Sequence, residues 1–252
     1  MKKPIVHGYF LCWNEEYILP HLLKHYNFCD QIFIVDNYSD DNSYNIIKKF
    51  KEQYTDKIRV LAFDSGNQYR DDIFLKLANN VWKQNSRNVA DYVIFGDADE
   101  FVCHENMTEF LTKMFEENIT VMITKGYHMV ANKDLVLQTE DDIFQKVNQG
   151  IYDHFMDKPM IFNPNKIIDM NFCVGRHHCS PNGEVKTYVS NGDLSLKHFK
   201  YLGIENFLFR VERYQKRFSD INKRNGWATY WLENKQHHIN DYEGKLNLRV
   251  PV

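Results

Sequence analysis

The sequence predicts an α/β protein built on a mostly parallel β-sheet that is flanked by helices. Short, continuously apolar segments alternate with amphipathic segments of helical period through the first half of the chain. This alternation is typical of βαβ units, whose strands are buried on both faces. The chain has 252 residues, 43% of them hydrophobic. That is enough apolar material for one well-filled domain, because a single core stops growing near about 250–300 residues.

Four strands and three helices are predicted in the first half from the period at which apolar residues recur. In order they are a strand at 5–13, a helix at 15–26, a strand at 32–35, a helix that runs to about 53, a strand at 60–63, a helix at 71–84 and a strand at 92–95. Ser39, Asp40 and Asp41 are suitable N-caps for the second helix. Pro20 lies early in the first helix, where its missing N–H costs least.

The second half is less regular than the first. Apolar runs predict a long strand at 120–130 and shorter strands at 159–162 and 186–189. A helix at 205–223 is the clearest late element, with an apolar face beside a basic one. With 6 Pro and 11 Gly, and without a Gly/Ser/Pro-rich linker, we expect residues 1–252 to form a single domain.

Charge and hydropathy exclude several classes of protein. Lys and Arg number 31 against 34 Asp and Glu, a net charge of −3, whereas bulk nucleic-acid binding requires a strongly basic face. No apolar run approaches the about 18 residues of a membrane span, and no small-residue cleavage site of a signal peptide follows the first apolar run. The five scattered cysteines are typical of reduced thiols. We therefore expect a cytoplasmic protein without a nucleic-acid partner; its oligomeric state is not predicted.

Polar residues stand at or just after the end of each of the first four strands. They are Asn14, Asp36, Asp64 and Asp97. In open parallel sheets the carboxyl ends of the strands form the ligand crevice, where such groups meet ribose hydroxyls, bases or metals. Any one of them is equally typical of a loop or a helix cap. The four together favour a ligand site.

The tetrapeptide Asp97-Ala98-Asp99-Glu100 is the sharpest motif in the chain. Two carboxylates at i and i+2 after a buried strand are able to converge on one divalent ion. Hard oxygen ligands suit Mg²⁺ or Mn²⁺, whose remaining positions are filled by water and by substrate phosphates. A lone D-x-D is weak, but its place directly after the strand YVIF strengthens the prediction.

Two other clusters have ordinary alternatives. Arg210, Arg213, Arg217 and Arg224 form a basic stripe on the late helix, which is typical of a solvated face but also suits a diphosphate. His198, at the end of an upstream apolar segment, is placed to point into the same crevice, although a lone His is more often structural. Cys173, His177, His178 and Cys179 have no C-x-x-C spacing, which argues against zinc.

Five segments together resemble a known family. LCWNEE at 11–16, IVDNYSDD at 34–41 and DADEF at 97–101 resemble the glycosyltransferases of the family 2 superfamily. KPMIFNP at 158–164 and LKHF at 196–199 resemble its small bacterial and viral branch akin to family 92. The resemblance covers about residues 5 to 225. It implies a GT-A fold with a Rossmann-like sheet, in which residues 1–105 bind the nucleotide-sugar and residues 106–252 bind the acceptor.

The resemblance also implies roles for individual residues. Cys12, Asn14 and Glu15 would line the base and ribose, and Asp36 would bind the uracil or ribose end. Asp64 is predicted to contact the nucleotide from its position at the end of the third strand alone. Asp97 and Asp99 would bracket the ribose and the metal-bound diphosphate, with Mn²⁺ or Mg²⁺ as the metal. His198 would complete the metal or diphosphate site, and Arg210 and Arg213 would cover the phosphates.

The implied reaction moves a sugar from a nucleoside-diphosphate sugar, commonly of uridine, to a hydroxyl of a glycan or lipid-linked acceptor, as in polysaccharide biosynthesis. Enzymes of this superfamily invert the anomeric centre, which requires a base that deprotonates the acceptor. The familiar acidic pair after the metal motif is not evident in this sequence. Asp153, His178 and Glu184 are candidates for the base, and each is also ordinary as a polar loop residue.

Two other functions remain open on the sequence alone. A nucleotidyltransferase would share the sheet and the carboxylates, but it normally has a Gly-rich phosphate loop after the first strand, where this chain has Trp13-Asn14-Glu15-Glu16. It would release pyrophosphate and not a nucleoside diphosphate. A non-catalytic carbohydrate-binding module would bind no nucleotide and would tolerate replacement of Asp99.

Overall fold

The computed structural model describes residues 3–54 and 56–252. Fourteen strands lie in these two ranges. In chain order they are β1 (Val6–Cys12), β2 (Gln31–Asp36), β3 (Ile58–Ala62), β4 (Tyr92–Asp97), β5 (Glu100–Cys103), β6 (Val121–Ile123), β7 (Lys125–Val130), β8 (Gln149–Tyr152), β9 (Pro159–Phe162), β10 (Ile167–Asp169), β11 (Asn182–Gly183), β12 (Thr187–Val189), β13 (Ser195–Tyr201) and β14 (Val250–Pro251).

Eight α-helices lie in the same described ranges. They are α1 (Leu19–His25), α2 (Ser43–Gln53), α3 (Asp71–Asn85), α4 (Met107–Glu116), α5 (Ile143–Lys146), α6 (Ile204–Arg217), α7 (Asp220–Asn225) and α8 (Lys235–Leu248). The strands and helices predicted in the first half are confirmed to within a few residues. The predicted caps of α2 are wrong, because that helix begins at Ser43 and the side chain of Ser39 instead donates to Asp36 Oδ1 at 2.6 Å.

The predicted α/β class with a largely parallel central sheet is confirmed. Seven strands form this sheet in the order β12-β6-β9-β4-β1-β2-β3. Its pairs are parallel except for the two that β9 makes, with β4 and with β6. Strands β6, β9 and β12 come from beyond residue 105, so the second half of the chain extends the sheet that the first half begins.

The large sheet is buried on both faces because most positions of its central strands are apolar. On one face, Phe10 and Ile34 pack with α1 and α2; on the other, Tyr9 and Phe33 pack with α3. The rings of Tyr9 and Phe33 stack at a centroid distance of 4.4 Å. Trp82 of α3 is fully buried beneath this second face. This is the burial expected for strands of βαβ units.

A second sheet, of five strands, is not foreseen in the sequence. Its order is β14-β8-β7-β13-β5, with β7 and β13 parallel and the other pairs antiparallel. The single strand predicted at 120–130 is wrong: the chain leaves the large sheet at Thr124 and enters the second sheet as β7. Thr124 anchors this switch, since both its N–H and its hydroxyl donate to Lys158 O.

The single helix predicted at 205–223 is also wrong. Helix α6 ends at Arg217, and α7 begins at Asp220 after a break at Phe218 and Ser219. The N–H of Tyr69 donates to Arg217 O at 2.7 Å, which ties the break to the segment before α3. Among the described residues, no helix is both long enough and apolar enough to cross a membrane.

Candidate functional site

A cavity of about 550 Å³ lies at the carboxyl ends of the parallel strands of the large sheet. Cys12 lines it from the end of β1, and Asp97 lines it from the end of β4. The second sheet contributes His198 from β13, and α6 contributes Arg210. Because carboxyl ends of neighbouring parallel strands meet at one edge, this is the crevice in which open α/β sheets bind ligands.

The tetrapeptide at 97–100 connects the two sheets. Asp97 is the last residue of β4, and Glu100 is the first residue of β5. Between them, the N–H of Ala98 donates to Leu11 O at 3.1 Å, and the Ala98 side chain is buried. Asp99 and Glu100 are each 1% exposed. This tight connection therefore brings three carboxylates to the floor of the cavity, where each must be compensated.

The negative charge of Asp99 is neutralised by Arg210 and His198. The resemblance assigns these two side chains to the phosphates and to the metal or diphosphate site. Arg210 Nη1 donates to Asp99 Oδ2 at 2.6 Å, and His198 Nε2 lies 3.1 Å from the same oxygen. Burial alone would raise the pKa of Asp99, but Arg210 and His198 hold it well below the usual range. Arg210 Nη2 also donates to Glu15 at 3.2 Å, yet burial still raises the Glu15 pKa to about 7.

Asp97 is compensated by Arg176, a residue that the sequence did not single out. Arg176 Nη2 lies 2.6 Å from Asp97 Oδ2 and forms an ion pair with it. Arg176 has φ +57° and follows Gly175 at φ +73°. A left-handed arginine is uncommon, and such strain concentrates at functional sites. The signal in the sequence was the pair Gly175-Arg176, within a cluster considered only for its Cys and His.

Glu100 is compensated by Lys158, the first residue of the KPMIFNP segment. Lys158 Nζ donates to Glu100 Oε1 at 2.5 Å, and both side chains are almost fully buried. Burial would raise the pKa of Glu100, but Lys158 brings it to about 2. The other carboxylate oxygen of Glu100 accepts the N–H of Asp97 at 3.1 Å. Glu100 therefore braces the loop that presents the two aspartates.

Asp153 is the candidate base that lines the cavity. Its Oδ1 accepts the N–H of Phe155 at 3.0 Å and so caps a short 3₁₀ turn at 154–156. Its Oδ2 lies 3.1 Å from Nε2 of His128, a buried residue on β7. The hydrogen bond from His128 lowers the pKa of Asp153, while burial lowers the pKa of His128 to about 4. Asp153 is thus a carboxylate at neutral pH.

His178 and Glu184, the other candidates for the base, do not reach the cavity. His178 is exposed, and its neighbour His177 lines the cavity in its place, with Nδ1 donating to Phe155 O at 2.5 Å. The side chains of these adjacent residues point to opposite sides of the loop. The sequence prediction named His178, which is on the outer side. Glu184 forms an exposed ion pair with Lys166 at 2.8 Å.

Four residues predicted to contact the nucleotide also lie outside the cavity lining. They are Asn14, Asp36, Asp64 and Arg213. The first three serve loops after the strands: Asn14 bonds to Asp40, Asp36 accepts from Ser39, and Asp64 accepts the N–H of Gly66. Arg213 donates to Asn14 O at 2.7 Å. Cys12, Glu15, Asp97, Asp99, His198 and Arg210 do line the cavity.

The donor set proposed for a divalent ion does not fit one in this arrangement. A metal needs oxygen or nitrogen atoms with free lone pairs that converge on one point. Asp97 instead faces Arg176, and the Oδ2 atom of Asp99 is shared by Arg210 and His198. No group of three or more His, Cys, Asp or Glu side chains in the described ranges is arranged to hold a metal. In this structure the predicted set Asp97, Asp99 and His198 is therefore part of a network of ion pairs.

No family model and no curated protein matches this chain. Among solved structures, it is similar to S. aureus TarS 1-349 in complex with UDP-GlcNAc (13% identity, 84% of this chain, 66% of that chain, TM-score 0.49). It is also similar to S. aureus TarS (14% identity, 77% of this chain, TM-score 0.46), of which it spans 36%.

A third similar structure is the mannosyltransferase PcManGT from Pyrobaculum calidifontis in complex with GDP-Man and Mn²⁺. The identity is 13%, the match covers 49% of this chain and 36% of that chain, and the TM-score is 0.38. All three TM-scores are below 0.5, so these likenesses assign no function to the chain.

Proposed function

We propose that this protein is a glycosyltransferase that moves a sugar from a nucleoside-diphosphate sugar to a hydroxyl of a glycan or lipid-linked acceptor. One observation carries the proposal: the carboxylates of the 97–100 motif and a separate carboxylate, Asp153, line the same cavity at the carboxyl ends of the parallel strands. The motif resemblance supports a sugar nucleotide as donor. Cations along the wall, among them Arg176 and Arg210, suit a departing diphosphate.

In the proposed reaction, the acceptor hydroxyl oxygen attacks the anomeric carbon of the donor sugar. A new carbon–oxygen bond forms there while the bond from the anomeric carbon to the diphosphate oxygen breaks, and that oxygen keeps the electron pair. Asp153 accepts the proton of the acceptor hydroxyl, since it is ionised at neutral pH and lines the cavity. A single displacement of this kind inverts the anomeric centre. His128 acts as a positioning residue, because it holds one oxygen of Asp153.

The experiment is a donor screen followed by transfer assays. Purified protein is first tested for thermal stabilisation by UDP, GDP and TDP, with and without Mn²⁺. A ligand present at 100 times its Kd adds about 2.7 kcal/mol, which raises the Tm by several degrees. Sugar nucleotides of the stabilising base are then incubated with glycan and lipid-linked acceptors. Release of nucleoside diphosphate with a glycosylated product is the expected result, whereas release of pyrophosphate would indicate a nucleotidyltransferase.

The role of Asp153 is tested with matched variants of the three candidate bases. Asp153→Asn should lower kcat by about 10²–10⁴-fold and leave nucleotide binding intact, because only proton transfer is removed. Glu184→Gln and His178→Ala should retain activity, since neither side chain reaches the cavity. Full activity of Asp153→Asn would rule out Asp153 as the base. Absence of stabilisation by any of the three nucleotides would contradict the glycosyltransferase proposal and favour a carbohydrate-binding module.

A further inference from the structure

Arg217 is a buried guanidinium at the cavity wall with no ion-pair partner among residues 3–54 and 56–252. It is the last residue of α6, is 8% exposed and lines the cavity. Its Nε donates to Asn67 O at 3.1 Å, and its Cζ lies 3.4 Å from the centre of the Trp13 ring. Its Nη2 is buried and has no hydrogen-bond partner in the part of the chain that the structure describes.

Burying a charge without a counter-charge costs free energy. An unpaired buried cation therefore indicates that a bound ligand supplies the counter-charge. Burial lowers the pKa of Arg217 to about 10, with Asp40 and Tyr214 opposing this shift from a distance and Arg213 adding to it. At neutral pH the group is still a cation. The Trp13 ring and Asn67 O hold the planar guanidinium of Arg217 in place. This fixed orientation prepares its N–H groups to donate to the oxygens of a phosphate.

The carboxylates of the cavity floor are in the opposite situation. Asp97 is paired with Arg176, and Asp99 is paired with Arg210 and His198. In a site that binds its ligand through a divalent ion, the carboxylates coordinate the ion, and the ion in turn contacts the phosphates. Here the carboxylates already have cations from the chain, whereas Arg217 and Lys200, which also line the cavity, form no ion pair within the described ranges. Of these two cations, Arg217 is the more deeply buried.

We propose that this cavity binds the diphosphate of its donor directly on protein cations, with Arg217 as the principal contact, and that this binding requires no divalent ion. The inference rests on the proposed function, because it takes a nucleoside diphosphate as the ligand. It names how that ligand is held, and it replaces the metal-bound diphosphate that the resemblance implies. Arg176 and Arg210 remain with the aspartates and add positive potential at the wall.

The test is isothermal calorimetry with UDP, GDP and TDP on the whole chain, once in EDTA and once in Mn²⁺. The Kd of the nucleotide that binds should agree within about threefold between the two conditions. Arg217→Ala should weaken binding in EDTA by at least about tenfold, the loss of one charge-assisted contact. The Kd of Arg217→Lys should lie between those of the unmodified chain and of Arg217→Ala, since lysine keeps the charge but lacks the planar guanidinium.

Arg224→Ala is the matched control, because Arg224 belongs to the same basic stripe but is exposed on α7 and does not line the cavity. Its Kd should equal that of the unmodified chain. Arg217→Gln keeps most of the stem on Trp13, and circular dichroism establishes that each variant is folded. If Arg217→Ala does not fold, Arg217→Gln and Arg217→Lys supply the same comparison.

The outcomes separate this inference from the function on which it rests. Nucleotide binding that appears in Mn²⁺ and vanishes in EDTA would overturn the metal-free site and leave the glycosyltransferase proposal standing. Metal-free binding that is equal in folded Arg217 variants and in Arg224→Ala would overturn the role of Arg217. No binding of any nucleotide in either condition would overturn the proposed function and the inference with it.

Discussion

At the residue scale, the three carboxylates at the cavity floor, Asp97, Asp99 and Glu100, are each held in an ion pair. Glu100 is the clearest case, since Lys158 is bonded to it where neither side chain reaches solvent. The attraction between such partners largely offsets the loss of their hydration, so the pair itself adds little stability. Removing one partner is different, because the remaining charge is then buried alone. Lys158 therefore matters for stability mainly because its removal would leave the Glu100 carboxylate buried without a counter-charge.

Lys158→Met should destabilise the fold by about 3–5 kcal/mol, since it leaves Glu100 ionised and unpaired in the core. Urea unfolding monitored by circular dichroism measures the change. Lys166→Met is the matched control: it breaks the exposed pair with Glu184 and should cost about 1 kcal/mol or less. Equal losses in both variants would show that burial of the Lys158 pair has no energetic consequence.

At the element scale, close approaches between segments set the geometry of the site. Strand β7 carries His128, and the 3₁₀ turn at 154–156 follows Asp153. The turn lies against β7 at Gly126, where an added Cβ would be 2.1 Å from Met156 O. The absence of a side chain at Gly126 is therefore what lets His128 and Asp153 come within hydrogen-bond distance.

Gly126→Ala should lower stability by about 1–3 kcal/mol or more, because the new methyl group meets backbone that has no room to move. Thermal unfolding gives the size of the loss. Gly244→Ala is the control, since an added Cβ in α8 has no neighbour within 4 Å. There alanine is the better helix former and should stabilise by up to about 1 kcal/mol. A Gly126→Ala variant as stable as the parent would mean that β7 and the turn are not in close contact.

The break between α6 and α7 is a second element-scale feature. Ser219 Oγ accepts the N–H of Asn222 at 3.2 Å and so caps α7. Asn222 in turn donates to Asp71 Oδ2 at 2.7 Å and accepts the N–H of Asp71 at 3.1 Å. These bonds stop the late helix where α3 begins, and they place Arg217 at the end of α6, beside the cavity.

Ser219→Ala should reduce stability by about 1 kcal/mol, the usual effect of losing an N-cap. Chemical denaturation detects a change of this size as a shifted midpoint with an unchanged slope. Ser219→Asn retains a capping oxygen and should recover part of the loss. If Ser219→Ala leaves the stability unchanged, the hydroxyl does not stabilise the start of α7.

At the scale of the whole molecule, histidines that are desolvated by burial make stability depend on pH. His25, His128 and His177 each have a pKa lowered to about 4 by burial. The unfolded chain binds protons on these groups near pH 6.5, so it holds more protons than the folded chain between pH 6.5 and 4. Stability therefore falls as the pH is lowered through that window.

Carboxyls whose pKa is raised by burial act in the opposite direction. Burial raises the pKa of Glu15 to about 7 and that of Asp71 to about 6. In the folded chain these groups take up protons before their unfolded counterparts do, which adds stability on acidification. Burial also raises the pKa of Asp97, and it also lowers the pKa of His7, His21 and His238. With six histidines against three carboxyls, we expect a net loss of stability between pH 6.5 and 4.

His25→Gln should flatten this pH profile by about 1 kcal/mol per pH unit, the linkage of one proton. His25 Nε2 donates to Val102 O at 2.9 Å, and the glutamine amide is able to replace that donor. Unfolding free energies at several pH values between 4 and 7 measure the difference. A profile that is the same in both proteins would show that His25 titrates in the folded state as it does in the unfolded chain.

The sequence by itself determined the local, periodic features of this protein. Apolar strands and amphipathic helices identified the parallel sheet, and Asp97 and Asp99 were placed correctly at its carboxyl end, because period and strand ends are properties of neighbouring residues. It also identified Arg210 and His198 as residues that face this crevice. These predictions needed no knowledge of which distant segments pair.

Only the tertiary structure decided which charges meet. Arg176 reaches Asp97 across 79 positions of the chain, and Lys158 reaches Glu100 across 58. Likewise, the continuous apolar run at 120–130 gave no sign that Thr124 divides it between two sheets, since both parts are equally apolar. Contacts of this kind depend on long-range packing and on desolvation of partners remote in sequence. For that reason the sequence indicated a metal on Asp97 and Asp99, whereas the folded chain supplies arginines.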